Sequence, residues 1–560
     1  KIQLACWSYS RYGEGTNSEG LRDMIIDDFS LETVEVGGYP IQTFKKRFRN
    51  IWGMFSKCAS AFEHEIFLIE GQDRFSFRRT AATVAAMAAQ LREKAGVGKS
   101  DHVGILMENS IRFVVSFWAI QNLGATAVVF NTRLAPAELE RQLQFSDLKV
   151  LLTSPLLSPK LQEIPSGSLG LEQIVLEDHW QEELPAKAEM QPPKGISEDD
   201  TAIILFTSGT AGTPKGVMIT HRNIITSALK ALHITSQYPG LQESGAQNML
   251  MVAPLFHVLA LQEQLMSAVV LGRSCILVSA FNPWEVVELL TSGNVSVLAG
   301  TPTMYWLLLN KTPVREAKLD SIRIITYGGA PMPPDLLRQI RETFPGVICL
   351  NGYGMTEASV ISTLHDRYSE LYPTSVGQPN LCSEVRIVDL TSGQQLGPNS
   401  VGELAVRGAL VSKGYYKAPE ETARVYQEGW FYTGDMAYQD AEGFLYVVGR
   451  TREMINRGGE NVYPVEVENV LHLHPKILDV AVFGLPDPVM GSAVACAIIL
   501  RPDIEEITLP EIQDFCKSQL AEYKIPRKLF LVAELPKNPG GKVVKKKLVE
   551  QFTEAANPDK

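Results

Sequence analysis

Short apolar runs that alternate with helically spaced stretches constrain the fold of this chain more than any other feature. The run His102-Val103-Gly104-Ile105-Leu106-Met107 is followed by helical spacing over residues 111–123, then by Ala125-Thr126-Ala127-Val128-Val129-Phe130. Helical spacing over residues 136–144 and the run Val150-Leu151-Leu152 continue the pattern. Strand, helix, strand, helix, strand is the rhythm of a parallel α/β sheet. It resumes at Ala202-Ile203-Ile204-Leu205-Phe206 and recurs at residues 248–252, 274–278, 295–298, 322–327 and 347–350. A hairpin is predicted around Ile66-Phe67-Leu68-Ile69 and Phe75-Ser76-Phe77, inside a stretch of helical spacing from Thr43 to Lys94. From Glu384 to about Arg407, alternation and Gly/Pro/Asn turns predict a smaller antiparallel sheet. Beyond Gly449-Arg450-Thr451-Arg452 the composition changes, and a compact βα pattern runs to Lys560. That is long enough for a small domain. The chain therefore divides into an extension over residues 1–45, to which no chemistry is assigned, a large unit over 46–451 and a small one over 452–560.

Bulk properties exclude several function classes. A length of 560 residues with 45% hydrophobic and 21% charged residues describes an ordinary globular protein of several domains. The formal net charge of -11 argues against a nucleic-acid binder, whose affinity rests on clustered Lys and Arg. The seven cysteines are scattered without a CxxC pair, which suits buried thiols in a reducing compartment rather than disulfides or zinc. The opening residues lack the basic-then-apolar order of a signal peptide, so a cytoplasmic location is expected. One uncharged stretch, residues 289–310, is interrupted by Gly293, Asn294, Gly300 and Pro302, and reads as a buried strand and a helix rather than a membrane span.

Behind the run ending at Phe206 lies Thr207-Ser208-Gly209-Thr210-Ala211-Gly212-Thr213-Pro214-Lys215-Gly216, with a helix predicted from Asn223. Its hydroxyls, glycines and single lysine make a flexible, donor-rich loop able to turn N–H groups toward an anion. It is not a Walker A loop, because Pro214 precedes the lysine and Gly216 follows it. A generic cluster of this composition would be a surface turn. Five further segments follow at intervals: Tyr353-Gly354-Met355-Thr356-Glu357, Tyr432-Thr433-Gly434-Asp435, Gly449-Arg450-Thr451-Arg452-Glu453, Gly458-Gly459-Glu460-Asn461, and Pro536-Lys537-Asn538-Pro539-Gly540-Gly541-Lys542.

In this order, the six segments resemble those of the adenylate-forming superfamily of acyl-CoA synthetases, firefly-type luciferases and peptide-synthetase adenylation domains. The resemblance runs from about Thr43 to Lys547. It implies a large N-terminal domain of stacked, mostly parallel α/β sheets with a small antiparallel subdomain, and a small mobile α+β C-terminal domain. It also implies a reaction in which a carboxylate attacks the α-phosphate of ATP, after which a thiol displaces AMP. Bringing an anion onto a polyanion makes catalysis chiefly a matter of neutralisation and positioning. By resemblance, Thr207, Ser208, Gly209, Thr210 and Lys215 hold the terminal phosphates, Thr356 contacts the α-phosphate, and Glu357 ligates Mg²⁺. Tyr353 stacks on adenine, Gly328-Gly329-Ala330 allows close backbone approach to the base, and Asp435 and Arg450 hold the ribose. Lys542 bridges the carboxylate and the α-phosphate, Arg452 is the hinge, and Gly458, Gly459, Glu460 and Asn461 line the pantetheine tunnel of coenzyme A. Relatives carry Asp or Lys at the hinge, so Arg452 departs from the pattern within a polar set. The Lys545-Lys546-Lys547 cluster is expected to be a solvated helix face.

His257, in Pro254-Leu255-Phe256-His257-Val258, matches the gate between acyl pocket and tunnel. Peptide-synthetase domains place an Asp just behind it to pair with an ammonium. Here Val258, Leu259, Ala260 and Leu261 follow, and an unpaired buried ammonium would be costly. The small residues of Ala299-Gly300-Thr301-Pro302, Gly328-Gly329-Ala330 and Ala358-Ser359-Val360 favour a medium- or long-chain fatty acid, with an aryl acid as the alternative. The expected partners are the acid, ATP, Mg²⁺ and CoA, or a carrier-protein thiol in place of CoA.

Overall fold

In a computed structural model of the chain, residues 28–165, 172–176, 180–182, 184, 193–207, 215–237, 247–458, 460–502, 504–537 and 543–555 are described. The α/β architecture expected from the apolar rhythm is the one the chain adopts. Among the described residues, a six-stranded sheet runs in the order Lys215–Thr220, Thr201–Thr207, Thr126–Val129, His102–Leu106, Leu148–Thr153, Glu172–Val175. All its neighbours pair in parallel except the first two. A nine-stranded sheet has a parallel centre, from Ile348–Met355 through Ile324–Gly328, Val297–Gly300, Asn248–Met251 and Ser274–Leu277 to Ile66–Glu70. Antiparallel strands close both of its ends. The predicted hairpin is Ile66–Glu70 with Asp73–Ser76, and Phe77 already opens the helix Phe77–Ala95.

Helices fill the faces of these sheets. Ile111–Asn122 is buried at every position but Arg112, between strands that need cover on both sides. The helix His221–Ser236 begins where Thr220 and Asn223 exchange side-chain and backbone hydrogen bonds of 3.2 and 2.8 Å, a capping box that satisfies otherwise orphaned donors. The uncharged stretch resolves into the end of one helix, the strand Val297–Gly300 and the helix Pro302–Lys311. Among the described residues, no helix is long and apolar enough to cross a membrane.

The helix expected from Asn223 forms as His221–Ser236, but the donor-rich loop does not reach it directly. Its far end is the edge strand Lys215–Thr220, antiparallel to Thr201–Thr207, with Lys215 opposite Thr207. The short run Val217-Met218-Ile219 packs on this sheet before Thr220 starts the helix. Nor is the lysine cluster uniformly solvated. Lys545 is 13% exposed, 2.7 Å from Glu468 and 3.7 Å from Glu453, whereas Lys546 points to solvent.

A five-stranded antiparallel sheet covers Ser383–Val388, Gly402–Gly408, Trp430–Gln439, Tyr426–Gln427 and Leu445–Arg450. After the short turn Thr451–Glu453 come the hairpin Ile455–Arg457/Glu460–Val462 and a three-stranded sheet, Ile477–Asp487, Gly491–Leu500 and Lys528–Leu531. That sheet has its own apolar core with the helices Pro464–Leu471, Leu509–Lys517 and Lys545–Ala555. At the other end, the hairpin Leu31–Val36/Tyr39–Phe44 is tied to the large unit through Arg47. Arg47 donates at 2.5 Å to Glu32 and at 3.0 Å to the buried Glu198.

Candidate active site

The site is built on one sharp hairpin. Ile348–Met355 and Ser359–His365 run antiparallel, and Thr356, Glu357 and Ala358 form the turn between them. Two features make the turn so tight. A side chain on Gly354 would place its Cβ 1.8 Å from the carbonyl oxygen of Ser359, and Ser359 itself holds a φ of 52°, unusual for a residue with a side chain. Gly328 lies opposite Gly352 in the neighbouring parallel strand. A Cβ at Gly328 would lie 2.3 Å from the carbonyl of Gly352, so strand packing already requires this glycine. The open position is Gly329, which has a φ of 79° and only Thr301 Cγ2 nearby, at 3.9 Å. Ala330 follows it, half-buried.

Tyr353, Asp435 and Arg450 come together as a group. Asp435 and Arg450 are direct partners in the ladder of Trp430–Gln439 with Leu445–Arg450, so register alone sets them on one face. Arg450 Nε lies 2.5 Å from Asp435 Oδ1, and Tyr353 Oη donates to Asp435 Oδ2 at 2.5 Å. The Asp435 side chain is 4% exposed. Burial, reinforced by this carboxylate, pushes the Tyr353 phenol well above its ordinary range and fixes it as a donor. A carboxylate can accept more than two hydrogen bonds.

Lys215 and Glu357 are brought together through a residue that the sequence motifs did not single out. The segment after Ser412 lies alongside the edge strand, with Met218 N–H donating to Gly414 O at 2.9 Å and Tyr416 N–H to Gly216 O at 2.7 Å. Asn223 Nδ2 anchors its approach by donating to Ala409 O and Val411 O. Tyr415 then donates from Oη to Glu357 Oε1 at 2.9 Å, while Lys215 Nζ sits 5.1 Å from the centre of its ring. Ser412 N–H also donates to the Glu357 carbonyl at 2.8 Å. Lys215 is ion-paired with Glu421, whose carboxyl is held down to about 2 by Arg424 and Lys215. An arriving phosphate therefore competes with a permanently ionised partner. The signal for this segment was Gly414-Tyr415 followed by Pro419-Glu420-Glu421, too common in composition to stand out alone.

Thr207 ends its strand opposite Lys215, whereas Ser208, Gly209 and Thr210 lie outside the described residues, as do Gly459 and Lys542. His257 sits at the start of the helical turn leading into the π-helix Leu259–Leu265, its carbonyl accepting from Leu261 N–H at 3.0 Å and its ring 4.6 Å from that of Phe256. Asn109 fixes the preceding loop by bonding Met251, Ala253 and Leu255. Arg452 is exposed in the turn Thr451–Glu453. Glu460 and Asn461 are exposed on the small hairpin. The space beside Gly458 is filled by Met490, whose Cε would lie 2.4 Å from an added Cβ, so its absent side chain serves that packing and a φ of 64°.

Sequence reasoning missed a buried ion pair here. Lys230 Nζ lies 2.8 Å from Glu263 Oε2, and Glu263 also accepts from Ser359 Oγ and Val360 N–H. Ser359 and Val360 are thus bound to charge and do not form a purely apolar wall, and Ala358 is packed in the core. Thr356 and Glu357 are half-buried. Among the described residues there is no cluster of three metal-ligating side chains. A lone carboxylate such as Glu357 fits an ion that completes its shell with phosphate oxygens and water, as Mg²⁺ does.

The model of an AMP-binding enzyme matches residues 55–416, and that of the AMP-binding enzyme C-terminal domain matches residues 466–542. A feruloyl-CoA synthase from Amycolatopsis sp is 33% identical over 498 residues, covering 87% of this chain and 96% of its own. A long-chain-fatty-acid–CoA ligase from Bacillus subtilis (strain 168) is 31% identical over 494 residues, covering 82% and 87%. The structure of o-succinylbenzoate coenzyme A synthetase from Bacillus subtilis, in complex with ATP and magnesium ion, superposes with a TM-score of 0.76 at 32% identity, covering 90% of this chain and 100% of that one. The chain belongs to the AMP-binding enzymes, the adenylate-forming superfamily of acid–thiol ligases.

Proposed function

We propose that the protein converts a carboxylic acid to its CoA thioester in two steps. The acid's carboxylate attacks the α-phosphorus of ATP, the bond to pyrophosphate breaks, and the thiol of CoA then attacks the acyl carbon and expels AMP. The observation that carries this reading is the Tyr353–Asp435–Arg450 group, a buried carboxylate with a phenol and a guanidinium beside a chain of Glu357, Tyr415 and Lys215. Asp435 receives the ribose hydroxyls, Lys215 and Thr207 receive the departing pyrophosphate, and Thr356 holds the α-phosphate. Glu357 holds Mg²⁺, which neutralises phosphate charge when bound. Lys542 spans the reacting carboxylate and phosphate. His257 gates the acyl pocket, Arg452 is the pivot, and Gly458, Gly459, Glu460 and Asn461 flank the thiol's path.

The acid is apolar and lacks an ammonium, because Val258, Leu259, Ala260 and Leu261 offer no counter-charge behind His257. A medium- or long-chain fatty acid fits this reading, and the Bacillus fatty-acid ligase supports it. An aryl acid is the second reading, supported by the feruloyl and o-succinylbenzoate enzymes among the relatives. The test is acid-dependent exchange of pyrophosphate into ATP across alkanoates, benzoates and cinnamates, followed by thioester formation with CoA. Exchange with one acid class and CoA-dependent AMP release are expected. Exchange with no acid would overturn the reaction, and preference for benzoates or cinnamates would select the second reading.

A further inference from the structure

We propose that the buried Glu263–Lys230 pair is a positioning device for the Thr356–Glu357 turn. The proposal rests on the reading of Glu357 as the carboxylate that holds Mg²⁺. Lys230 projects from the helix His221–Ser236 and is 2% exposed, with Nζ 3.0 and 2.8 Å from the two oxygens of Glu263. One turn earlier on the same face, Ser227 Oγ donates to Glu263 Oε1 at 2.7 Å. Glu263 Oε1 also accepts from Ser359 Oγ and, at 3.2 Å, from Val360 N–H, while Lys230 Nζ donates to Val360 O at 3.4 Å. Two helices thus grip both polar groups of the Val360 backbone and the Ser359 side chain. Ser359 is only two residues beyond Glu357 and is held at a φ of 52°.

A buried ion pair is expensive for stability alone, since apolar residues of similar size serve as well or better. What it supplies here is direction. Glu263 belongs to the π-helix Leu259–Leu265, a local widening of the helix that recurs at functional sites, and it presents one carboxylate to four donor groups from two segments. Strained backbone persists only where its surroundings over-determine it, and this clamp together with the Gly354 contact does so on both sides of the turn. Gripped at its exit, the turn holds Glu357 at a fixed distance from Tyr415, and so from Lys215.

The test uses Ser359→Ala, which removes one hydroxyl and keeps the ion pair, alongside Glu263→Gln, which keeps the shape and removes the charge. ATP affinity is measured calorimetrically with Mg²⁺ and in EDTA. The Mg²⁺ concentration for half-maximal pyrophosphate exchange, the KM for the acid and the Tm are measured in parallel. Glu263→Gln is expected to raise the half-maximal Mg²⁺ about tenfold, as removing a ligand's outer support does elsewhere, and Ser359→Ala to raise it less. ATP affinity should fall in Mg²⁺ and hold in EDTA, and the acid's KM should stay within about twofold of wild type. An unchanged Mg²⁺ requirement overturns the inference, whether the Tm falls (a structural role) or the acid's KM rises (an acyl-pocket role). If Glu263→Gln does not fold, Ser359→Ala decides. Wild-type protein with no acid-dependent exchange refutes the reaction instead, and the paired ATP affinities still report on the clamp.

Discussion

His221 opens the helix that follows the edge strand Lys215–Thr220, yet its imidazole is turned inward, 2% exposed, with Nδ1 3.4 Å from the Ile51 N–H that donates to it. Burial lowers its pKa to about 4, and burial together with Arg367 does the same for His365. Both are neutral in the folded protein and titrate near 6.5 when unfolded. The unfolded chain therefore binds more protons between pH 6.5 and pH 4, and stability is lost as pH falls through that window. His221 accounts for up to about 3 kcal/mol of the loss. Denaturant midpoints from pH 7.5 to pH 5 should decline below pH 6.5, and His221→Gln should decline less steeply. At Asp435 the prediction concerns ligand as well as fold. Asp435→Asn turns a donor toward Tyr353 or Arg450, so the ATP KM should rise at least about tenfold and stability fall by about 2 kcal/mol, measured by exchange kinetics and urea unfolding. Asp435 and Arg450 stand out in the sequence only because their short motifs stand among four others in a fixed order. Lys230 and Glu263 were not. In Ser-Ala-Leu-Lys-Ala-Leu and Leu-Gln-Glu-Gln they read as ordinary exposed positions, and only the packing of two helices 33 residues apart pairs them.

The segment from Ser412 to Tyr416 does most to join the elements of the site. It bonds the edge strand of the six-stranded sheet, the hairpin turn of the nine-stranded sheet and, through Ser412 Oγ and Tyr426 Oη at 2.6 Å, the five-stranded sheet. Tyr415→Phe keeps the ring beside Lys215 and removes only the hydrogen bond to Glu357. The expected loss is about 1.5 kcal/mol, roughly tenfold in exchange at limiting Mg²⁺, with little change at saturating Mg²⁺. Tyr415→Ala should lose activity at both, having also removed the packing. Strand and helix order was legible because each strand of the parallel centre is a short apolar run. The edge strand Lys215–Thr220 was not, since its run is brief and a helix cap follows at once. One demand on Gly328 was hidden for a related reason: its neighbour across the sheet, Gly352, leaves no room for a side chain, and strand pairing is invisible in a single run of residues.

At the scale of the molecule, the proposed site draws on residues from both sides of the turn Thr451–Glu453. Arg452 lies in that turn, Lys545 ties the last helix to Glu453 beside it, and Arg501 reaches Asp335 of the large unit at 3.6 Å. The last contact is half-exposed and weak, as such surface pairs are, so it sets no strong preference for one arrangement. Lys542 stands just before the anchored helix, and the two half-reactions separate its function from a merely structural one. Lys542→Ala should lower acid-dependent pyrophosphate exchange by about 10² to 10³, the scale seen when one group that stabilises developing charge is removed. Thioester formation from supplied acyl-adenylate and CoA should be nearly unaffected, because by then the carboxylate–phosphate bond is already made and pyrophosphate has left. Gly459→Trp should show the opposite pattern, sparing exchange and blocking thioester formation by filling the thiol's path. Rapid-quench measurement of both half-reactions on each variant decides the matter. Equal loss in both steps for Lys542→Ala would remove that lysine from adenylation, and equal loss for Gly459→Trp would place that glycine in the packing of the hairpin instead.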